Sequence, residues 1–257
     1  MNTLSELTVL HDGPVASIVL ARPPHNYVDA PAMQRLADTL LALDEDVSCR
    51  AVVLSSAAEA FCAGANFNGG STPGGAPVDP APFYEHAMRL FRNRKPIVAA
   101  VEGAAVGAGL GLALVADFRV TCKEARFSAN FNRLGFHPGF GLSHTLPRLV
   151  GPQRAALLFY TGRRVSGEDA VAMGLADELV EKAQVGARAM ALAHEIAASA
   201  PLAVASTRGA MRANLAEEVL AANRGELAIQ REQFRSEDFR EGVAAMAARR
   251  MPVFHGR

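Results

Sequence analysis

Two stretches of this chain are built so that backbone amides, rather than side chains, could do chemistry. Residues 102–117 read EGAAVGAGLGLALVAD, with Gly103, Gly107, Gly109 and Gly111 set in or before a wholly apolar segment, 110–115. A strand, a glycine turn and a helix starting at that turn leave peptide N–H groups without intrahelical partners. Such a helix end favours negative charge, whether standing or developing in a transition state. Residues 61–67, FCAGANF, make a second small-residue turn after another apolar run. Close packing alone also selects small residues, so both readings stand at this point. Candidate acids and bases are few. Histidine ordinarily titrates near neutrality, which makes His137 a candidate base. His144, Tyr84, Glu85 and His86 read equally well as packed or solvated residues. Asp117 ends the apolar helix, and Glu102 is expected to bond local backbone.

The elements that must hold these turns follow from periodicity. Residues 7–10 and 15–20 alternate as a β-hairpin with an Asp12-Gly13 turn, and Pro23-Pro24 stops its second strand. Met33, Leu36, Leu40, Leu41 and Leu43 give 30–44 a helical stripe. Residues 50–55 (RAVVLS) form a continuous apolar strand of the kind buried on both faces. The stretch 69–82 is rich in Gly and Pro and reads as a surface loop, a lid or an entrance. A helix over 83–93 and a strand over 97–101 follow, so strand, small-residue turn and helix occur twice. Beyond 127 the chain reads as loop to 141, then as helices over 142–150, 153–161 and 167–173, with a short strand at 176–180. From 184 to 250 the period is helical, broken at Pro201. The expected organisation is an α/β core over 1–195 and a helical region over 196–257.

Composition narrows the class. The 257 residues suffice for one large domain, half of them are apolar, and about three quarters of the unfolded surface can be buried. Lys plus Arg and Asp plus Glu both number 26, so no basic stripe points to nucleic acid. Trp is absent and aromatics are scarce, which suits close helix packing. Cys49, Cys62 and Cys122 have neither metal nor redox spacing. They read as reduced thiols of a cytoplasmic protein, and no metal is expected. The N-terminus shows no basic flank followed by a long apolar stretch, and no apolar run approaches about twenty residues, so no membrane association is expected.

Four stretches taken together, 61–67, 95–117, 126–151 and 236–257, resemble in content and order the enoyl-CoA hydratase/isomerase (crotonase) family. The likeness covers essentially the whole chain. A dinucleotide-loop reading is weaker: a GxGxxG pattern from Gly107 would need its third glycine at Leu112, and no Gly-Lys-Ser/Thr is present. The resemblance implies a crotonase-like ββα superhelix with a helical C-terminal subdomain, and a homotrimer or dimer of trimers. It implies an acyl-CoA thioester as substrate, with coenzyme A carried as part of it and no separate cofactor. It also implies that the N–H groups of Ala65 and Ala108 hold the thioester oxygen. CoA would then run past His25 and its neighbours Asn26 and Tyr27, and past Ala63, Asn66, Phe67 and Asn68. Arg249 and Arg250 would approach its phosphates.

The same comparison exposes two gaps. The family's hydratase glutamates fall on Gly111 and Phe131, and a third acidic option falls on Gly139. No Asp or Glu occurs between Glu124 and Glu168, so a small slip in register restores none. General acid–base help is worth roughly 10²–10⁴ in rate, so some other group must act in an efficient enzyme. The nominal expectation is enoyl-CoA hydration or isomerisation. The alternatives are hydrolysis or C–C cleavage assisted by His137, and acyl-CoA binding without catalysis. Phe131, Phe136 and Phe140 hint at an apolar acyl pocket.

Overall fold

The apolar runs flanking the two turns become the central strands of one sheet. The computed structural model describes residues 6–65 and 79–257. Residues 69–78 of the Gly/Pro-rich stretch, and Asn66, Phe67 and Asn68, lie outside the described residues. The hairpin is β1 (Leu7–Asp12) and β2 (Val15–Leu20), paired antiparallel with Asp12 opposite Val15, so its tight turn is Gly13-Pro14. After helix α1 (Ala30–Glu45), strand β3 (Ala51–Ser56) pairs parallel with β2. Helix α1 is capped by Asp29, which accepts from Ala32 N–H at 2.9 Å, and it buries Met33, Leu36, Leu40 and Leu43. Helix α2 (Ala81–Arg89) packs on α1 and leads through a 3₁₀ turn into β4 (Ile97–Val101), which pairs parallel with β3. All five residues of β4 are buried, as a strand covered on both faces requires.

Then the chain leaves this sheet. Strand β5 (Ala104–Val106) belongs to a second, three-stranded sheet with β7 (Arg126–Ser128) and β8 (Val165–Ser166), in the order β5-β7-β8. Helix α3 (Ala108–Val115) is buried at every residue and returns the chain to β6 (Phe118–Thr121), parallel to β4. Helices α4 (Leu142–Val150), α5 (Pro152–Thr161) and α6 (Gly167–Ala172) precede β9 (Glu178–Leu179), which completes the order β1-β2-β3-β4-β6-β9. Helix α7 (Val185–Ala197) lies across β2, β3, β4 and β6. Helices α8 (Pro201–Met211), α9 (Leu215–Gln233) and α10 (Glu237–Ala247) follow. Among the described residues no single helix is long and apolar enough to cross a membrane.

The mixed α/β core and the helical C-terminal region agree with the sequence reading; several bounds differ. The apolar helix starts at Ala108 rather than 110, directly at the glycine turn. The strands at 104–106, 126–128 and 165–166 are too short to show an alternating pattern. Residues 130–134 form a 3₁₀ turn inside the expected loop. Pro201 opens α8 in its first turn, where its missing N–H costs nothing.

Candidate functional site

The two small-residue turns lie against each other, and backbone hydrogen bonds hold them there. Cys62 N donates to Ala104 O at 2.9 Å, and Val106 N donates to Cys62 O at 3.0 Å, so the first turn runs beside β5. On its other side Ala63 N donates to His25 O and Val28 N donates to Gly64 O, each at 3.0 Å. The loop that supplies His25 is pinned by Asn26, which is 1% exposed. The Asn26 amide nitrogen lies 2.6 Å from Ser56 Oγ and 3.2 Å from the carbonyls of Ala60 and Phe61, and its Oδ1 accepts from Arg22 N. Asn26 holds this position at a φ of 49°, in the left-handed region that asparagine tolerates better than most residues.

Close approach explains the glycines. A Cβ on Gly64 would sit 2.7 Å from Val106 O and 3.5 Å from Ala108 N, and one on Gly109 would sit 1.9 Å from Cys62 O. Only hydrogen at these positions lets the start of α3 rest on the first turn. Gly107, at φ 57° and ψ −118°, turns the chain from β5 into α3 while its own N–H donates to Ser128 O at 2.9 Å. Ala108 is then the first residue of a buried helix, and its N–H has no acceptor within that helix. Neither Ala108 N nor Ala65 N donates to any acceptor among the described residues. Two uncommitted N–H groups, one on each turn, suit an anionic oxygen, and the helix dipole adds to the second.

The two glycine positions that lack a carboxylate are each filled by a specific neighbour. A Cβ on Gly111 would fall 2.5 Å from Cγ of Phe140, whose ring occupies the space a side chain at 111 would need. Phe140 is fully buried at a φ of 65°, and its ring meets Phe83 and Phe91 edge-on at centroid distances of 6.0 and 6.3 Å. A Cβ on Gly139 would fall 1.9 Å from the Tyr84 hydroxyl and 2.5 Å from Gln230 Nε2. Burial pushes the Tyr84 phenol well above its ordinary range, so it stays protonated at neutral pH. The Phe131 ring tip comes within 3.9 Å of the Cβ position of Gly107, and the ring stands edge-on to Phe136 at 5.4 Å.

His137 is half-buried, and its backbone is held from α9: its N donates to Gln233 Oε1 at 2.6 Å and its O accepts from Gln230 Nε2 at 2.8 Å. Its Nδ1 lies 2.7 Å from Pro138 O, an acceptor, so Nδ1 carries the proton and a neutral ring keeps its lone pair on Nε2. His25 is exposed and stands edge-on to Tyr27 at 5.4 Å. Ala63 spends its N–H on His25 O, as above. Arg249 is exposed beyond α10, and its side chain makes no hydrogen bond or ion pair among the described residues; Arg250 is tied to Glu241. The geometry therefore joins Ala65, Ala63 and His25 to the turn of Ala108, with Phe131 beside it, while the Arg249 side chain makes no hydrogen bond or ion pair with them.

Other neighbours expected by type resolve as structure. His144 lies 3.3 Å from Glu218 on α9, and Asp117 binds Arg208 of α8 and Arg212 just beyond its end. Burial pushes the Cys62 thiol up to about 12, which keeps it un-ionised beside the first turn. The sequence reading missed Gln230, Glu226 and Asn130. Glu226, 2% exposed, accepts from Gly141 N, Ser143 N, Ser143 Oγ and Asn223 Nδ2, and so caps α4. Nothing local marks Gln230 or Glu226, since they lie about ninety residues along the chain from the loop they hold.

Known proteins resemble this chain over nearly its whole length. Residues 11–257 match the family model described as enoyl-CoA hydratase/isomerase. The chain is 32% identical over 257 residues to carnitinyl-CoA dehydratase of Salmonella typhi, covering 98% of each. Among solved structures it is similar to an enoyl-CoA hydratase/isomerase from Pseudoalteromonas atlantica T6c, with a TM-score of 0.88 and 31% identity over 98% of this chain and 100% of that one. An enoyl-CoA hydratase from Mycobacterium avium subsp. paratuberculosis K-10 gives 0.86 and 26% over 98% and 99%.

Proposed function

The chain belongs to the enoyl-CoA hydratase/isomerase family, and from that premise we propose that it binds an acyl-CoA thioester and polarises its carbonyl between Ala65 N–H and Ala108 N–H. The observation that carries this reading is the pair of uncommitted amides on turns locked together through Gly64, Gly107 and Gly109. A thioester enolate holds its charge on oxygen, and preorganised donors lower its energy without moving a proton. One such donor is worth on the order of 10²–10³ in rate elsewhere.

The nominal reaction is hydration or isomerisation of an enoyl thioester, of the type its relatives' names describe. The proton transfers of that reaction lack carboxylates at 111, 131 and 139, where glycine, phenylalanine and glycine stand. The test is a panel of CoA thioesters read by mass spectrometry for binding and for mass change, with loss of crotonyl-CoA conjugated absorbance followed in parallel. Binding with a mass gain of one water supports hydration; a rate at the buffer baseline sinks the hydratase reading. Failure of every CoA ester to bind overturns the thioester reading itself.

A second reading draws on His137, whose Nε2 retains a lone pair when the ring is neutral. There the histidine would take a proton from water as it attacks the acyl carbon, and the two amides would hold the oxyanion formed. His137→Ala should then abolish turnover while leaving ester binding intact. Unchanged turnover would assign His137 to packing.

A further inference from the structure

We propose that Asn130 contacts the acyl group and selects thioesters that carry an oxygen substituent at C3, a 3-hydroxyacyl group above all. The inference rests on the reading that Ala108 N–H holds the thioester oxygen.

Strands β5 and β7 run parallel with Val106 opposite Ser128, so the segments leaving their C-terminal ends lie side by side. Ligands of parallel sheets collect at such ends. The segment leaving β5 is Gly107-Ala108, the second donor turn, and the one leaving β7 is Ala129-Asn130. Asn130 Oδ1 comes within 3.4 Å of the Cβ position of Gly107, one residue from the donor. The backbone there is pinned: Gly107 N donates to Ser128 O, Ser128 Oγ donates to Gly162 O, and a Cβ on Gly162 would lie 3.3 Å from Asn130 Cα.

The asparagine side chain is nonetheless unused. It is half-buried and makes no hydrogen bond among the described residues. The fully buried asparagines, Asn26, Asn93 and Asn223, are all bonded through their amides. A held amide whose donor and acceptor are both uncommitted is free to bond a ligand. Its surroundings make it conspicuous, since Phe131 covers the same turn and Phe140 fills the space over Gly111. An amide offers both a donor and an acceptor, does not titrate, and cannot replace a general base. Its use is to bind a neutral oxygen. Addition of water to an enoyl thioester puts that oxygen on C3, two bonds from the carbonyl carbon.

The test compares dissociation constants of 3-hydroxybutyryl-CoA and butyryl-CoA by calorimetry, with the ester mass checked at the end. The full-length protein is expected to bind the hydroxy ester roughly three- to tenfold more tightly, the range of one net hydrogen bond. Asn130→Ala should erase that preference and leave butyryl-CoA affinity within about twofold. Equal affinities in the unmodified protein overturn the proposal without recourse to any variant, and so does a preference that survives Asn130→Ala. Binding of neither ester removes the thioester reading as well, and so separates the two failures.

Discussion

At the scale of the residue, this site depends on what is absent from side chains. Ala108 contributes an N–H, and that group can be deleted without touching a side chain. Proline is tolerated at the first position of a helix, which is where Ala108 stands. Ala108→Pro is therefore expected to keep the circular dichroism and melting behaviour while lowering kcat/KM by about 10²-fold or more. An unaffected rate would remove Ala108 from the proposed oxyanion site. Gly111 makes the complementary point. A methyl group there meets the Phe140 ring at 2.5 Å, so Gly111→Ala should destabilise by about 1–3 kcal/mol, the usual cost of overpacking. Denaturant midpoints measure it. The penalty should shrink in a Phe140→Leu background, since contacting positions are not additive.

At the scale of the element, two attachments stand out. Helix α8 buries none of its residues fully, and its hold on the core is ionic. Arg208 on the helix and Arg212 just after it both reach Asp117 at 2.9 Å, and Asp117 also accepts from Ile97 N at 2.8 Å. The Arg208, Arg212 and Asp117 side chains are only 9%, 14% and 15% exposed. Removing one partner of such a cluster strands the others, so Asp117→Ala should cost about 3–5 kcal/mol. Hydrogen exchange should show α8 amides opening first. The second attachment is the C-terminal tail on α10. Glu241 accepts from Arg250 and from Val253 N, which hold its carboxyl down to about 2. A carboxylate with a depressed folded value contributes stability above its unfolded value and loses it as pH falls through the folded one. The tail should therefore stay docked above about pH 4.5 and release between there and about pH 2. Protection of the Val253 amide relative to its intrinsic exchange rate reads this directly, and protection that stays constant across that window would count against the contact.

At the scale of the whole molecule, several large apolar side chains remain uncovered, among them Tyr160 at 77% and Leu202 at 87% exposed. From the family resemblance we propose a homotrimer or a dimer of trimers, which would cover such side chains. Sedimentation equilibrium should give three or six chain masses, and a monomer at micromolar concentration would refute it. The strands β3 and β4, the capped helix α1 and the helical last third were legible in the sequence because each satisfies its own period over five or more residues. The second sheet was not. Its strands span two or three residues and exist only because β5 finds β7 and β7 finds β8. The resemblance carried by residues 61–67 and 95–117 pointed to the amides of Ala65 and Ala108, and the fold leaves both without an acceptor among the described residues. The missing carboxylates were equally plain, because the same resemblance says at which positions they would stand.

Only the tertiary structure decided what stands in their place. Phe140 lies twenty-nine positions from Gly111 in the chain and Tyr84 fifty-five from Gly139, and no local pattern announces that one fills the space over the other. Asn130 drew no attention while it was one polar residue in a loop. It became a candidate once parallel pairing of β5 with β7 set it beside the second donor turn. Backbone chemistry follows from local sequence because turns and helix ends form from neighbours. Side-chain surroundings come from segments that meet only on folding.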